Sequence, residues 1–170
     1  MENVVTFVPP PIKMSQTQLI GEFEINLDAK GRVMVPSALK RQLPVDSHDK
    51  LVINRGVEKC LVLYPINDWK IISHEINKLN LYVKDNRDFA RYFFRGASEI
   101  SLDANNRILI PKPLLEYAGI EKDVVLFAYN NRIEVWSKKN YHKQMDEEPR
   151  DFVKLSEQVM GKVNGNINLS

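Results

Sequence analysis

The chain has 170 residues, of which 44% are apolar and 27% charged, and its formal net charge is +2. That is the balance of an ordinary soluble globular protein with room for one domain or two very small ones. A single cysteine, Cys60, excludes an internal disulfide and fits a reducing cytoplasm, and no run approaches the ~20 apolar residues of a membrane helix.

Residues 1–18, with Pro9–Pro11, read as an extended arm, and the acidic start at Glu2 does not suit a signal peptide. A first repeat is expected over 19–80. Glu22–Leu27 alternates polar and apolar as a half-buried strand does, Asp28–Gly31 is a turn, and Arg32–Pro36 is a second strand closed by its proline. A short helix over Ser37–Leu43 stops at Pro44. Two strands, Leu51–Asn54 and Cys60–Tyr64, flank a turn at Arg55 and Gly56, and the apolar run around Cys60 marks it as a buried thiol. Ile66 to Leu79 spaces Trp69, Ile72, Ile76 and Leu79 as an amphipathic helix.

The stretch 81–95 is expected to hold a linking helix from about Arg87 to Arg95 that carries Phe89, Tyr92, Phe93 and Phe94. A second repeat over 96–146 returns to the same order. It has strand 98–102, turn 103–106, strand 107–110, helix 112–118 ending at Gly119, strands 123–128 and 132–136 around Asn130-Asn131, and helix 139–145. The tail 147–170 offers a helix near 151–160 and then no packing face.

The repetition is the strongest signal. Gly21–Leu39 and Gly96–Leu114 agree at 9 of 19 positions without a gap. Both keep an Asp and an Arg four apart, then three apolar residues and a proline. Each half is too short to bury a core easily alone, so the two should fold together.

No enzyme chemistry accompanies the repeat. His48, His74 and His142 stand far apart with no ligand spacing, no phosphate-cradling glycine loop exists, and no nucleophile set is present. No cofactor and no metal are expected. What remains is Asp28-x-x-x-Arg32 and Asp103-x-x-x-Arg107. A lone motif of this kind only pins a turn. Used twice in matched settings, it suits a braced guanidinium offered to guanine O6 and N7 or to a phosphate. Between residues 30 and 41 lie Lys30, Arg32, Lys40 and Arg41 with no acid among them. Lys30 either meets a phosphate or is a solvated turn lysine. Lys40 and Arg41 either track a nucleic-acid backbone or face water. The aromatics of the linking helix suit core or subunit contacts better than base stacking, and Trp69 and Trp136 read as core.

Asp28–Pro36 and Asp103–Pro111 resemble the signature of the SpoVT/AbrB-type swapped-hairpin domain, and two tandem copies resemble the bacterial MraZ family. Arg91–Ala97 and Ile133–Trp136 also match, and the resemblance runs from Gly21 to Met145. It implies an α+β, strand-rich fold, a pseudo-two-fold double-split βαβ swapped-hairpin barrel with added helices. It further implies a cytoplasmic, nucleoid-associated transcription factor upstream of the division and cell-wall gene cluster. Such a factor forms a homo-oligomeric ring and binds short G-rich direct repeats of double-stranded DNA. The implied motif residues are Asp28, Arg32, Asp103 and Arg107. This chain departs at Asn105-Asn106, which replaces Lys30-Gly31 and removes a charge, so Arg32 is expected to outweigh Arg107. The arm 1–18 is an addition to the family pattern, and the tail matches none of it. An antitoxin of the same fold and a structural ring without DNA are the competing readings.

Overall fold

The structure, a computed structural model, describes residues 16–147 and 151–165, so most of the arm expected over 1–18 and the last residues of the tail lie outside it. The strands are β1 (Leu19–Asn26), β2 (Arg32–Met34), β3 (Lys50–Arg55), β4 (Leu61–Pro65), β5 (Ser98–Ser101), β6 (Arg107–Leu109), β7 (Asp123–Asn130) and β8 (Arg132–Ser137). The helices are α1 (Ser37–Lys40), α2 (Ile66–Asn77), α3 (Lys84–Phe94), α4 (Lys112–Ala118), α5 (Lys138–Met145) and α6 (Phe152–Gly165).

Six strands form an antiparallel sheet in the order β1-β7-β8-β4-β3-β5, and β2 and β6 form a separate two-stranded ribbon. The pairing crosses between the repeats. β1 of the first lies along β7 of the second from Leu19↔Asn130 to Asn26↔Asp123, and β5 of the second lies along β3 of the first. The ribbon takes one strand from each. The turn at Asp28–Gly31 therefore does not close a hairpin of its own flanking strands. β1 leaves it for one sheet and β2 for the other, and each repeat completes its partner. This is the swapped-hairpin arrangement of an α+β, strand-rich fold.

Alternation decides which face each strand buries. Leu51, Ile53, Leu61, Leu63, Val124, Leu126, Ile133 and Val135 point to one side and join Val33 and Ile108 of the ribbon in the main core. Leu39 of α1 and Leu114 and Ala118 of α4 close that side. The opposite face of the sheet carries Cys60, Val125 and Trp136 under Tyr141 of α5. There too Tyr64 meets Trp69 of α2, which stacks on Phe93 of α3 at 5.9 Å. The molecule is thus layered: helices α2, α3 and α5, then the sheet, then the ribbon with α1 and α4.

Trp136 is buried, as expected of a core residue, but Trp69 is only half-buried because it forms the joint between α2 and α3 rather than a core position. α3 buries none of its residues, and Phe89 and Tyr92 lie on its exposed face. Burial pushes the Cys60 thiol up to about 12, with Glu134 and Glu58 adding to the shift, so it stays protonated and unreactive.

Candidate nucleic-acid interface

The two turns are built alike. Asp28 Oδ1 accepts the backbone N–H of Lys30 and of Arg32, both at 2.9 Å, and Asp28 Oδ2 accepts Arg32 Nε at 2.8 Å. Asp103 Oδ1 accepts the N–H of Asn105 at 2.8 Å and of Arg107 at 2.9 Å, and its Oδ2 accepts Arg107 Nε at 2.9 Å. Asp suits this position because its short side chain reaches its own backbone two and four residues on. Gly31 takes φ +82° and Asn106 φ +59°, both left-handed, and Asn is among the few residues that tolerate that region. The departure at Asn105-Asn106 therefore leaves the turn geometry unchanged and alters only its charge.

These bonds hold both carboxylates in the ionised form. The Arg32 N–H, first, and then its guanidinium and the Lys30 N–H hold Asp28 below the usual carboxylate value, against a smaller desolvation in the other direction. The Arg107 and Asn105 N–H groups and the Arg107 guanidinium do the same for Asp103. Each guanidinium is held through Nε alone, and its two terminal nitrogens have no partner among the described residues. Those are the donors that fork onto guanine or phosphate.

The ribbon decides where the arginines aim. Its register is Arg32↔Leu109, Val33↔Ile108, Met34↔Arg107. It is extended symmetrically, with Val35 N–H on Asn106 O at 2.8 Å and Ile110 N–H on Gly31 O at 3.0 Å. Val33 and Ile108 are fully buried against the sheet. Period two then puts Arg32, Met34, Arg107 and Leu109 together on the opposite, outward face. The two arginines are diagonal neighbours, about 7–8 Å apart by ladder geometry. The sequence pattern reveals the two motifs but not that they share a face, because that depends on a strand pairing between halves.

The remaining expected residues divide. Lys30 is exposed at the tip of the first turn. Lys40 forms an ion pair with Asp49, so its charge is met within the chain. Arg41 is exposed beside it. Aligned at the repeat offset, Leu115 and Glu116 stand in the second copy where Lys40 and Arg41 stand in the first. Phe93 and Phe94 of α3 pack on Trp69 on the face of the sheet away from the ribbon. In the sequence Met34 and Leu109 carry no signal beyond that of apolar strand residues. The alternation Arg32-Val33-Met34 places Met34 on the arginine's side once Val33 is known to be buried. Among the described residues no cluster suited to a metal ion exists, and no helix is long and apolar enough to cross a membrane.

Comparison with known proteins places these features in company. A family profile described as "MraZ protein, putative antitoxin-like" matches twice, over residues 19–92 and 93–161. A transcriptional regulator MraZ of Christiangramia forsetii is 46% identical over 144 residues, covering 84% of this chain and 93% of its own. One of Flavobacterium psychrophilum is 45% identical over 147 residues, covering 86% and 94%. One of Natranaerobius thermophilus is 38% identical over 141 residues, covering 83% and 96%.

Proposed function

The chain belongs to the MraZ family, whose named relatives are transcriptional regulators and not enzymes, and from that premise we propose that it binds short G-rich direct repeats in its own promoter region, upstream of division and cell-wall genes. The readers are Arg32 and Arg107, braced by Asp28 and Asp103. Lys30, Lys40 and Arg41 add positive potential on the first copy, with Lys40 tempered by Asp49.

The observation that carries this reading is the common outward face of the two half-free guanidiniums on one ribbon. A two-stranded ribbon enters the major groove, where Arg forks onto G O6 and N7. Their diagonal spacing of about 7–8 Å spans roughly two base steps of 3.4 Å. One chain offers too few charges for tight binding at physiological salt. A ring of copies facing tandem sites would gain a factor of ~10²–10⁴ from effective concentration. An antitoxin of this fold carries one copy per chain, whereas here two copies complete each other within one chain, which favours the regulator.

Fluorescence anisotropy on a duplex of tandem G-rich repeats against a scrambled duplex, at about 150 mM salt, tests the proposal. The expected result is preference for the repeats, steep weakening with salt, and loss of about 1–3 kcal/mol for Arg32→Ala. Arg107→Ala should lose less, because Asn105 and Glu116 give its surroundings less positive potential. A double Arg32→Ala/Arg107→Ala variant that bound as tightly as the parent would refute it.

A further inference from the structure

The outward face of the ribbon is not purely cationic. Met34 and Leu109 are 57% and 59% exposed on it, each directly opposite an arginine, Met34 across from Arg107 and Leu109 across from Arg32. A surface that met only phosphates would gain nothing from two large apolar side chains held in water there. The buried members of the same strands, Val33 and Ile108, already supply the contact with the core, so packing does not account for Met34 and Leu109.

We propose that Met34 and Leu109 are specificity residues that contact the C5-methyl groups of thymines next to the guanines read by the arginines. This rests on the DNA-binding reading above. The thymine methyl is the one apolar group on the base edges of the major groove, and apolar side chains recognise it by contact. Directly opposite residues on a ribbon have Cβ atoms about 4.5–5.5 Å apart. With base steps of 3.4 Å along a strand, an arginine on a guanine places its apolar partner over a base one or two steps away. The pseudo-two-fold axis through the Val33–Ile108 pair repeats that arrangement, so each ribbon would read two guanine–thymine units in opposite senses.

Replacing thymine by deoxyuridine removes the methyl and leaves every hydrogen-bonding group in place, so the parent protein itself can be tested. Binding to the tandem-repeat duplex should weaken by about fourfold for each contacted methyl, from the transfer free energy of one buried carbon. Met34→Ala/Leu109→Ala should bind thymine and deoxyuridine duplexes equally, while its thermal midpoint shifts little because more than half of each side chain is exposed. A parent protein that binds repeats in an arginine-dependent way yet ignores the methyl would overturn this inference and leave the DNA-binding reading standing. A double variant that still discriminates would also overturn it. A parent protein whose DNA binding ignores Arg32 and Arg107 would instead remove the premise.

Discussion

Asp28 accepts three hydrogen bonds, two from backbone N–H groups and one from Arg32 Nε, so one carboxylate fixes both the turn and the Arg32 guanidinium. Its folded value lies below the ordinary 3.8. A depressed carboxylate contributes stability that is present above its unfolded value and lost as pH falls through the lower folded value. The braced turn should therefore stay intact across neutral and mildly acidic pH and loosen only below the usual carboxylate range. Carboxyl carbon resonances followed by NMR should show Asp28 and Asp103 titrating below 3.8, and a midpoint at or above it would contradict the bracing. Asp28→Ala separates bracing from contact. Arg32 keeps its charge but must be immobilised on binding, at about 0.5–1.5 kcal/mol. The expected loss of affinity is thus smaller than that of Arg32→Ala, and a loss as large as Arg32→Ala would mean that Asp28 does more than orient.

Strands and helices were legible wherever a period ran long enough. The alternation over Glu22–Leu27, which covers all of β1 but its first three residues, the Asn130-Asn131 hairpin and the amphipathic α2 follow from local pattern alone. The ribbon did not, because β2 and β6 are three residues each and their pairing is set by a partner in the other half. For the same reason the apolar stripe of α3 could be seen while its exposure could not. The turns linking these short strands can be tested through backbone geometry. A Cβ at Gly31 would meet nothing nearer than 3.7 Å, so space is available and only φ +82° resists a side chain. Gly31→Asn should be tolerated, since Asn106 occupies the matching position at φ +59°. Gly31→Val should cost about 1–3 kcal/mol as backbone strain. Urea midpoints would check the ranking, and equal losses for Asn and Val would show that something other than φ controls the turn.

The interlock has its largest consequence for the molecule as one body. Removed from the second half, β1 loses β7, β2 loses β6 and β3 loses β5, leaving β3–β4 as the first half's remaining pair. A lone hairpin is marginal at best in water, and the main core draws on both halves throughout. The loop between α2 and α3 allows a clean cut between Leu79 and Asn80. The α2 end is closed by Lys78 and Leu79 N–H on Glu75 and Ile76 O, while Asn80 O serves Val83 and Asn86 on the other side. Residues 1–79 alone, kept dilute enough to stay monomeric, should unfold without a cooperative transition and should not bind repeat DNA, since the ribbon lacks its second strand. Mixed with residues 80–170, they should recover a single sigmoidal transition and DNA binding together, because the ribbon proposed to read DNA is the surface where the halves meet. A cooperative, concentration-independent melt of monomeric 1–79, with dispersed amide resonances, would mean that the first repeat closes its own core and that the exchange of strands is dispensable.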